Sequence, residues 1–354
     1  MTECAVGTGD FCGSTYIDRN FEELLKARLG ARYTSMTMET QQRIIKNFEP
    51  VKCAFRDREG QNTYHVSVPT MDTVQEAGVY HGEMFVTREE MRALFDPVID
   101  QILVLISGQL QAISGEGYRV SSVLLVGGFG ESPYLYDRIK EWTDRWGMAI
   151  VQPREAATAV ARGAALRGIE SSLGPAQQIN VVRRARRHYG TPMATPFIPG
   201  RHNERDAYID PVTHKKMAGN QISWFLRKGE SISDERRITR NFCRNFRKYS
   251  GPWVDTMVSC DLDPPPTRVT KDVRQVCNIS ADLSHISKSS YEKKWRNWKR
   301  FYIARYNLDL SILSGEMKFE LMFKGRSLAV SFHFSLVFLS SFSFFETESE
   351  ELGR

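Results

Sequence analysis

The sequence lacks the residue patterns that mark metalloenzymes, serine hydrolases and disulfide-rich proteins. Its six cysteines form no CxxC pair, its seven histidines include no HExxH motif, and no GxSxG nucleophile elbow occurs. Cysteines scattered through 354 residues predict neither a disulfide framework nor a zinc site, and they fit a reducing compartment. Metal catalysis and serine hydrolysis therefore have no support in the sequence.

The sequence also lacks a secretory signal, because no cationic segment followed by an apolar one opens it. Residues 327–345 carry no formal charge over a length close to that of a membrane span. Six serines and a histidine make this stretch a poor span. We therefore expect a cytoplasmic protein without a membrane partner, and we expect residues 331–354 to be a tail that is either disordered or mis-predicted as part of the sequence.

Length and composition predict a globular protein of two domains. Hydrophobic residues make up 41% of the chain and charged residues 25%, and 354 residues exceed one typical domain. The net charge of +6 is unevenly spread, since residues 179–305 contain 26 Lys or Arg against 12 Asp or Glu. These charges lie along predicted strands without a nucleic-acid motif, so we interpret them as a solvated face rather than a nucleic-acid surface.

The segment Val123–Lys140, VLLVGGFGESPYLYDRIK, predicts a strand, a tight turn and a helix. The strand covers Val123–Val126, and the glycines after it allow positive φ and a close approach of another group to the backbone. Ser132 before Pro133 is the order of a helix cap and a first-turn proline. The predicted helix places Leu135, Ile139, Trp142 and Trp146 on one face. A glycine turn below a helix N-terminus suits an anionic or sugar-phosphate ligand, although an ordinary strand-to-helix loop has the same pattern.

An alanine-rich helix is predicted over Pro153–Gly168, PREAATAVARGAALRG. Gly163 would weaken this helix by about 1 kcal/mol unless a neighbour packs against the bare backbone. The sequence therefore predicts close helix packing at Gly163.

Together LLVGGFGESPYL and PREAATAVARGAALRG resemble the adenosine-binding motif and the second connecting motif of the actin-like ATPase superfamily. Within it they are most similar to the 70-kDa heat-shock chaperone (DnaK) family, and to its divergent fungal members. The resemblance implies an α/β fold, with the second lobe of an actin-like ATPase (ribonuclease H-like) fold in residues 1–170. It implies ATP or ADP as ligand, with Mg bound only through the nucleotide. The binding residues that it implies in these two motifs are Gly127, Gly128, Phe129, Gly130, Ser132, Pro133 and Glu155.

The first residues, GTGDFCGSTYIDRNFEELL, resemble the family's glycine-rich segment that enters the second lobe. They predict a helix with Asp18 as its cap and an apolar face of Phe21, Leu24, Leu25 and Leu29. The family's phosphate loops, first connecting motif and catalytic lysine precede this point and have no counterpart in the sequence. The resemblance therefore implies a protein truncated at its N-terminus that lacks catalytic residues and does not hydrolyse ATP.

Two further helices are predicted, over Thr37–Phe48 and Thr87–Ile113. The family contacts adenine and ribose from the first of them, and alignment by its end implies Gln42 and Lys46 as nucleotide contacts, although solvated helix residues have the same character. Short strands are predicted at 51–55, 63–68 and 79–85. The second helix has a predicted break at Asp96-Pro97, because proline begins a helix more readily than it continues one.

From Ile179 onward, alternating apolar and polar residues between turn signals predict an antiparallel β region. Residues 171–178 are the predicted linker. Residues 179–330 resemble, more weakly, the family's β-sandwich substrate-binding domain, which implies unfolded polypeptide or a co-chaperone as partner. A different function remains open, that of a non-catalytic interaction module whose basic β-rich half binds polypeptides or acidic partners.

Two segments of the β region stand out by composition. Asp263–Pro266 is predicted to be a loop tip, since proline is excluded from central strands. The segment Lys293–Phe301, KKWRNWKRF, interleaves bases with aromatics that stack on nucleobases in some proteins. Without a groove, we interpret it instead as a loop and strand edge.

Overall fold

The computed structural model describes residues 2–69, 71–173, 182–233, 237–248, 251–296, 298–313, 316–328 and 333–335. Contacts divide the chain into two units, which are residues 8–178, here called the helical unit, and residues 1–7 with 179–354, here called the β unit. Ser171 and Ser172 of the predicted linker are the end of a helix. The rest of that linker, apart from Leu173, and most of the predicted tail lie outside the described residues.

The helical unit contains six helices and five short strands in its described part. The helices are α1 (Thr15–Leu29), α2 (Ala31–Thr34), α3 (Met38–Ala54), α4 (Arg88–Gly115), α5 (Pro133–Asp144) and α6 (Ala159–Ser172). The strands are β1 (Thr63–Ser67), β2 (Val79–Tyr80), β3 (Glu83–Thr87), β4 (Ser122–Leu124) and β5 (Ala149–Val151). Strands β1, β3 and β2 form one antiparallel sheet, and β4 pairs with β5 in parallel.

The core of the helical unit is built from apolar residues at helical spacing. Helix α1 buries Ile17, Phe21, Leu25 and Leu29 on one face, as three- and four-residue steps require. The ring of Phe21 stacks on that of Phe48 from α3 at a centroid distance of 4.0 Å. The predicted helix face is confirmed for Phe21, Leu25 and Leu29, while Leu24 is half-buried at its margin.

The predicted end of the second helix at Phe48 is wrong, and so is the predicted strand at 51–55. Helix α3 continues through Pro50 to Ala54. Pro50 removes one backbone hydrogen bond from this helix and adds a clash with the preceding turn. The buried side chains of Phe48 and Lys52, one turn apart, keep the helix on the core through this point.

Helix α4 is a single helix of 28 residues, so the predicted break at Asp96-Pro97 is wrong. Its start is fixed by a capping box between Thr87 and Glu90. The carboxylate of Asp96 accepts hydrogen bonds from Tyr134 (2.7 Å) and Arg138 of helix α5, which holds the turn that contains Pro97. Helix α4 is long and apolar enough to cross a bilayer by length and composition, and 22% of its apolar window is buried. Five side chains of its first half lie in the core, which are Met91, Leu94, Phe95, Val98 and Ile99.

Helix α5 begins at the predicted place, whereas strand β4 covers Ser122–Leu124 and ends two residues before the predicted end at Val126. The side chain of Ser132 accepts a hydrogen bond from the Leu135 N–H at 3.3 Å, and Pro133 is the first helical residue, as predicted. Leu135 and Ile139 are buried. Trp146 is not on the helix, which ends at Asp144, and its side chain is 65% exposed.

The packing predicted at Gly163 is not found. No atom lies within 4 Å of a Cβ built there, within the described part of the chain. Helix α6 buries none of its described side chains, and Val160, Leu166 and Ile169 are each about 60% exposed. The helix therefore exposes apolar side chains to solvent, and glycine is tolerated at 163 without a partner among the described residues.

The described part of the β unit contains two larger antiparallel sheets that share one core, and a two-stranded antiparallel sheet of β6 and β10. Its strands are β6 (Arg183–Arg184), β7 (His188–Pro196), β8 (Ala207–Ile209), β9 (Lys216–Leu226), β10 (Ser231–Ile232), β11 (Arg237–Phe246), β12 (Trp253–Cys260), β13 (Arg274–Ala281), β14 (Glu292–Arg296), β15 (Lys299–Leu313), β16 (Glu316–Phe323), β17 (Arg326–Ser327) and β18 (His333–Ser335). One sheet has the order β13-β12-β7-β9-β8, and the other contains β11, β15, β16 and β17, with β14 and β18 also paired to it. Buried side chains from both sheets form a single cluster, which is typical of a β-sandwich.

Three details of the β unit bear on the predictions. Residues 2–7, which were assigned to the first domain, pair with this unit, since the Glu3 N–H donates to the Val182 carbonyl at 2.7 Å. Asp263–Pro266 lies in a loop between β12 and β13, as predicted. Strands β14 and β15 pair antiparallel, and the Arg300 guanidinium lies 4.6 Å from the centre of the Trp295 ring.

The exposed apolar side chains of α6 predict that the protein binds hydrophobic dyes. Apolar surface in water costs roughly 25 cal/mol per Å², so these side chains favour association or dye binding. Replacing Val160, Leu166 and Ile169 together with glutamine should lower the fluorescence of a bound naphthalene-sulfonate dye without lowering the melting temperature, because none of the three is buried.

A matched control replaces three exposed aliphatic residues of the β unit, Ile209, Val254 and Leu262, with glutamine. Equal loss of dye fluorescence in both triple variants, or a wild-type protein that binds no dye, would contradict this prediction.

The contact between α4 and α5 predicts a loss of stability at alkaline pH. Burial raises the pKa of Tyr134 to about 12, and its hydrogen bond to Asp96 acts in the same direction. The folded state thus favours the neutral phenol, and this contribution, about 2 kcal/mol, is present below pH 10 and lost as the pH rises towards 12. The difference in unfolding free energy between wild type and Tyr134→Phe, measured in urea, should shrink over that interval. A difference that stays constant from pH 9 to 12 would contradict the assignment.

Candidate functional site

A cavity of about 250 Å³ in the helical unit brings the glycine loop against helix α3. The loop, here Gly127–Ser132, connects β4 to α5. The cavity is lined by Ser14, Glu49, Lys52, Cys53, Phe95, Gly128, Phe129, Glu131 and Ser132. Residues from α3, α4, the loop and the start of α1 thus meet in one place, and this place is the candidate site.

Backbone contacts to the segment after β5 fix the shape of the glycine loop. Gly127 has φ +89°, and its N–H donates to the Ala156 carbonyl at 2.7 Å. The side chain of Gln152 donates to the Gly130 carbonyl at 2.5 Å, and the Glu131 carboxylate accepts from the Ala157 N–H at 2.9 Å. These bonds hold the loop open in a conformation that needs glycine at 127.

The loop leaves backbone donors for a ligand. Within the described residues, the N–H groups of Gly128 and Phe129 donate to no acceptor. A Cβ built at Gly128 would meet no atom within 4 Å, so the space beside this residue is free for a ligand to enter. Together with the N-terminus of α5, which Ser132 caps, this arrangement presents positive partial charge to the cavity.

Lys52 is the charged centre of the site. Its ammonium is 2.7 Å from the Asp18 carboxylate and 2.6 Å from that of Glu49, and the residue is 4% exposed. Burial works to lower the pKa of Lys52, but the hydrogen bonds to Asp18 and Glu49 outweigh it and raise that pKa. The ammonium is therefore charged at neutral pH. Asp18, predicted as the cap of α1, instead holds Lys52, and Ser14 occupies the cap position.

The other cavity residues favour binding over chemistry. Phe95 and Phe129 supply aromatic surface, with ring centroids 6.5 Å apart. Burial raises the pKa of the Cys53 thiol, and the neighbouring Glu49 charge acts in the same direction, so Cys53 is a thiol and not a reactive thiolate. Across the described ranges, no group of three or more His, Cys, Asp or Glu side chains forms a metal site.

The structure brings together some of the predicted site residues and separates others. Gly128, Phe129 and Ser132 line the cavity, while Gly127, Gly130 and Pro133 shape the loop and the helix start. Glu155 is not among the lining residues. It pairs with Arg162 beside a different, open depression at the start of α6.

Gln42 and Lys46 are exposed on α3, and neither lines the cavity. The residues of α3 that do line it, Glu49, Lys52 and Cys53, lie about one to two turns further along. The alignment that implied Gln42 and Lys46 used the predicted helix end at Phe48, six residues before the observed end at Ala54. The sequence analysis missed Lys52. This lysine lies four residues after Phe48, on the apolar face of the helix, and that position is the signal by which it could have been found.

Residues 12–178 match the model of the family described as "Hsp70 protein", and residues 183–336 match that of a "Domain of unknown function (DUF8568)". The chain is similar to the human protein "Heat shock 70 kDa protein 12B", at 25% identity over 162 residues. That match covers 46% of this chain and 22% of the human protein, so the chain spans about a fifth of this relative's length. Residues 12–178 of the helical unit are therefore similar to Hsp70 proteins, and a β-rich region follows them.

Proposed function

We propose that the helical unit binds the adenosine part of ATP or ADP in the cavity between the glycine loop and helix α3. One observation carries the proposal: a loop with free backbone donors, Gly128 and Phe129, lies across a cavity from the charged pair Glu49 and Lys52. The Hsp70-like character of residues 12–178 supports adenine nucleotide as the ligand at the level of the family.

The dimensions and chemistry of the cavity favour adenosine over the whole triphosphate. Ligand pockets usually have volumes of roughly 300–1,000 Å³, and this one is smaller, at about 250 Å³. Aromatic side chains suit a purine ring, and carboxylate and ammonium groups suit its nitrogens and the ribose hydroxyls. The phosphates would then extend out of the cavity, and Mg would be bound only through them. We expect weak binding for this reason.

We further propose that the chain binds nucleotide without hydrolysing it and serves a chaperone-like or regulatory role in the cytoplasm. Phosphoryl transfer to water needs a metal-bound triphosphate held on both sides and a positioned water. The sequence contains no phosphate loop of the family's pattern, and the two carboxylates that line the cavity are already engaged, Glu49 with Lys52 and Glu131 with the Ala157 N–H.

A second candidate function is that of a polypeptide-binding module, carried by the β unit. The surplus of Lys and Arg in residues 179–305 and the antiparallel architecture of this unit favour it. This function does not require the nucleotide site, so the two candidates are tested separately.

Replacing Gly128 with leucine tests the nucleotide site. The side chain would fill the free space at the mouth of the cavity, and the affinity for ADP measured by isothermal titration should fall by at least tenfold, about 1.4 kcal/mol. Gly108→Leu, on the exposed second half of α4, is the matched control and should bind as wild type does. Unchanged affinity in the Gly128 variant would refute the assignment.

The protein is predicted not to hydrolyse ATP. Because the phosphate loops are missing from the sequence, the purified protein should release phosphate from MgATP no faster than buffer alone. A malachite-green assay on repeatedly purified protein measures this rate. A magnesium-dependent turnover that copurifies with the protein and disappears in Gly128→Leu would show that the chain does hydrolyse ATP.

A further inference from the structure

The β unit contains a second cavity, of about 330 Å³, that the nucleotide proposal does not use. It lies over strand β9, between the loop 197–202 and the loop 264–267. Side chains alternate along β9, so Phe225 enters the core of the sandwich while Trp224 lines the cavity. The lining residues are Met193, Thr195, Ile198, Arg201, His202, Gln221, Ile222, Trp224, Arg227, Pro265 and Thr267.

Hydrogen bonds fix both walls of this cavity. The Trp224 indole N–H donates to the Pro266 carbonyl at 2.9 Å, and the Ile222 N–H donates to the Thr267 carbonyl at 3.0 Å. On the opposite wall, His202 Nδ1 accepts from the Ile198 N–H at 3.0 Å. Since Nδ1 accepts, Nε2 carries the proton of a neutral imidazole and is available as a donor.

The cavity carries positive charge that the surrounding residues do not balance. Arg201 and Arg227 line it, no carboxylate lines it, and neither guanidinium has an acidic partner among the described residues. Of the nearby carboxylates, Asp206 is paired with Arg268, and Glu230 accepts a hydrogen bond from the Arg227 backbone N–H without forming an ion pair with the Arg227 guanidinium. Two arginines beside donors and an apolar wall suit an anion that is attached to an apolar group.

We propose that this cavity binds a carboxylate that is carried by an apolar group. Arginine matches the two oxygens of a carboxylate with two parallel N–H donors, which lysine does not provide. Met193, Ile198 and Trp224 form the surface for the apolar part. Two sources have this chemistry, the C-terminal residue of a polypeptide and a free small acid. The polypeptide source rests on the second candidate function, whereas the free acid does not.

The test uses the full chain, a ten-residue peptide that ends in leucine, the same peptide with a C-terminal amide, and N-acetyl-leucine. We expect the free-acid peptide to bind at least tenfold more tightly than the amide in isothermal titration. Arg201→Gln and Arg227→Gln should each weaken binding by about tenfold, the effect of losing one charged hydrogen-bonding group. Arg274→Gln removes the same charge from the exposed surface of β13, three strands away from β9, and should leave affinity unchanged.

The possible results distinguish the existence of the carboxylate site from the source of its ligand. Binding of N-acetyl-leucine that depends on Arg201 and Arg227 supports the site even where the peptide fails to bind, and that failure counts against the polypeptide-binding function alone. Equal affinity for free-acid and amidated peptides together with no binding of N-acetyl-leucine overturns the proposal. Equal losses in Arg227→Gln and Arg274→Gln overturn it as well, because the attraction would then come from net charge alone. Thermal melts of all three variants exclude unfolding, since each replaced arginine is exposed.

Discussion

The neutralisation of one buried ammonium constrains how helices α1 and α3 of the helical unit pack. Lys52 is almost fully buried, so its charge must be balanced, and Asp18 and Glu49 balance it from two helices. Removing one partner of a buried pair typically costs about 3–5 kcal/mol, because the remaining charge is left without compensation. Helices α1 and α3 are therefore held in one register. This register places Glu49, Lys52 and Cys53 of α3 in the wall of the candidate nucleotide cavity.

The same unit leaves much apolar surface in water. Helix α6 buries no described side chain, and Leu124 and Val151 on the two-stranded parallel sheet are 62% and 47% exposed. Parallel sheets are normally covered on both faces. Within the described residues, helix α5 covers part of one face of the β4–β5 sheet. The glycine loop begins at the end of this sheet, so a group that covers the sheet would also border the ligand site. Stability and nucleotide affinity are expected to change together in this part of the molecule.

The sequence correctly predicted those features that depend on residues close together in the chain, such as helix caps and the spacing of apolar residues. Ser132 with Pro133 gave the start of α5, and the spacing from Phe21 to Leu29 gave the face of α1. The predictions that failed depend on tertiary contacts. A helix end at Phe48 and a break at Asp96-Pro97 were predicted, but the core packing of Phe48 and Lys52 and the contacts of Asp96 with α5 keep both helices continuous.

The candidate site was only partly predictable for the same reason. The glycine loop is one continuous segment and was recognised from its own residues, whereas the residues opposite it come from other elements. Their identity depends on where α3 ends, and an error of six residues in that end moved the expected contacts to Gln42 and Lys46. Asp18 carries no local signal for its role, because its partner Lys52 is 34 positions away.

The charged residues of the β unit indicate a binding site only where the fold brings several unpaired charges together. The surplus of Lys and Arg in the sequence suggested a general basic face. Several of these arginines are neutralised within the unit, as Arg244 is by Asp255 and Arg268 by Asp206. Arg201 and Arg227 differ because they share one cavity that no carboxylate lines. Two cations without acidic partners, beside apolar side chains, can attract an anion that carries an apolar group. A larger set of paired charges would not do so, because paired charges produce little net electric field.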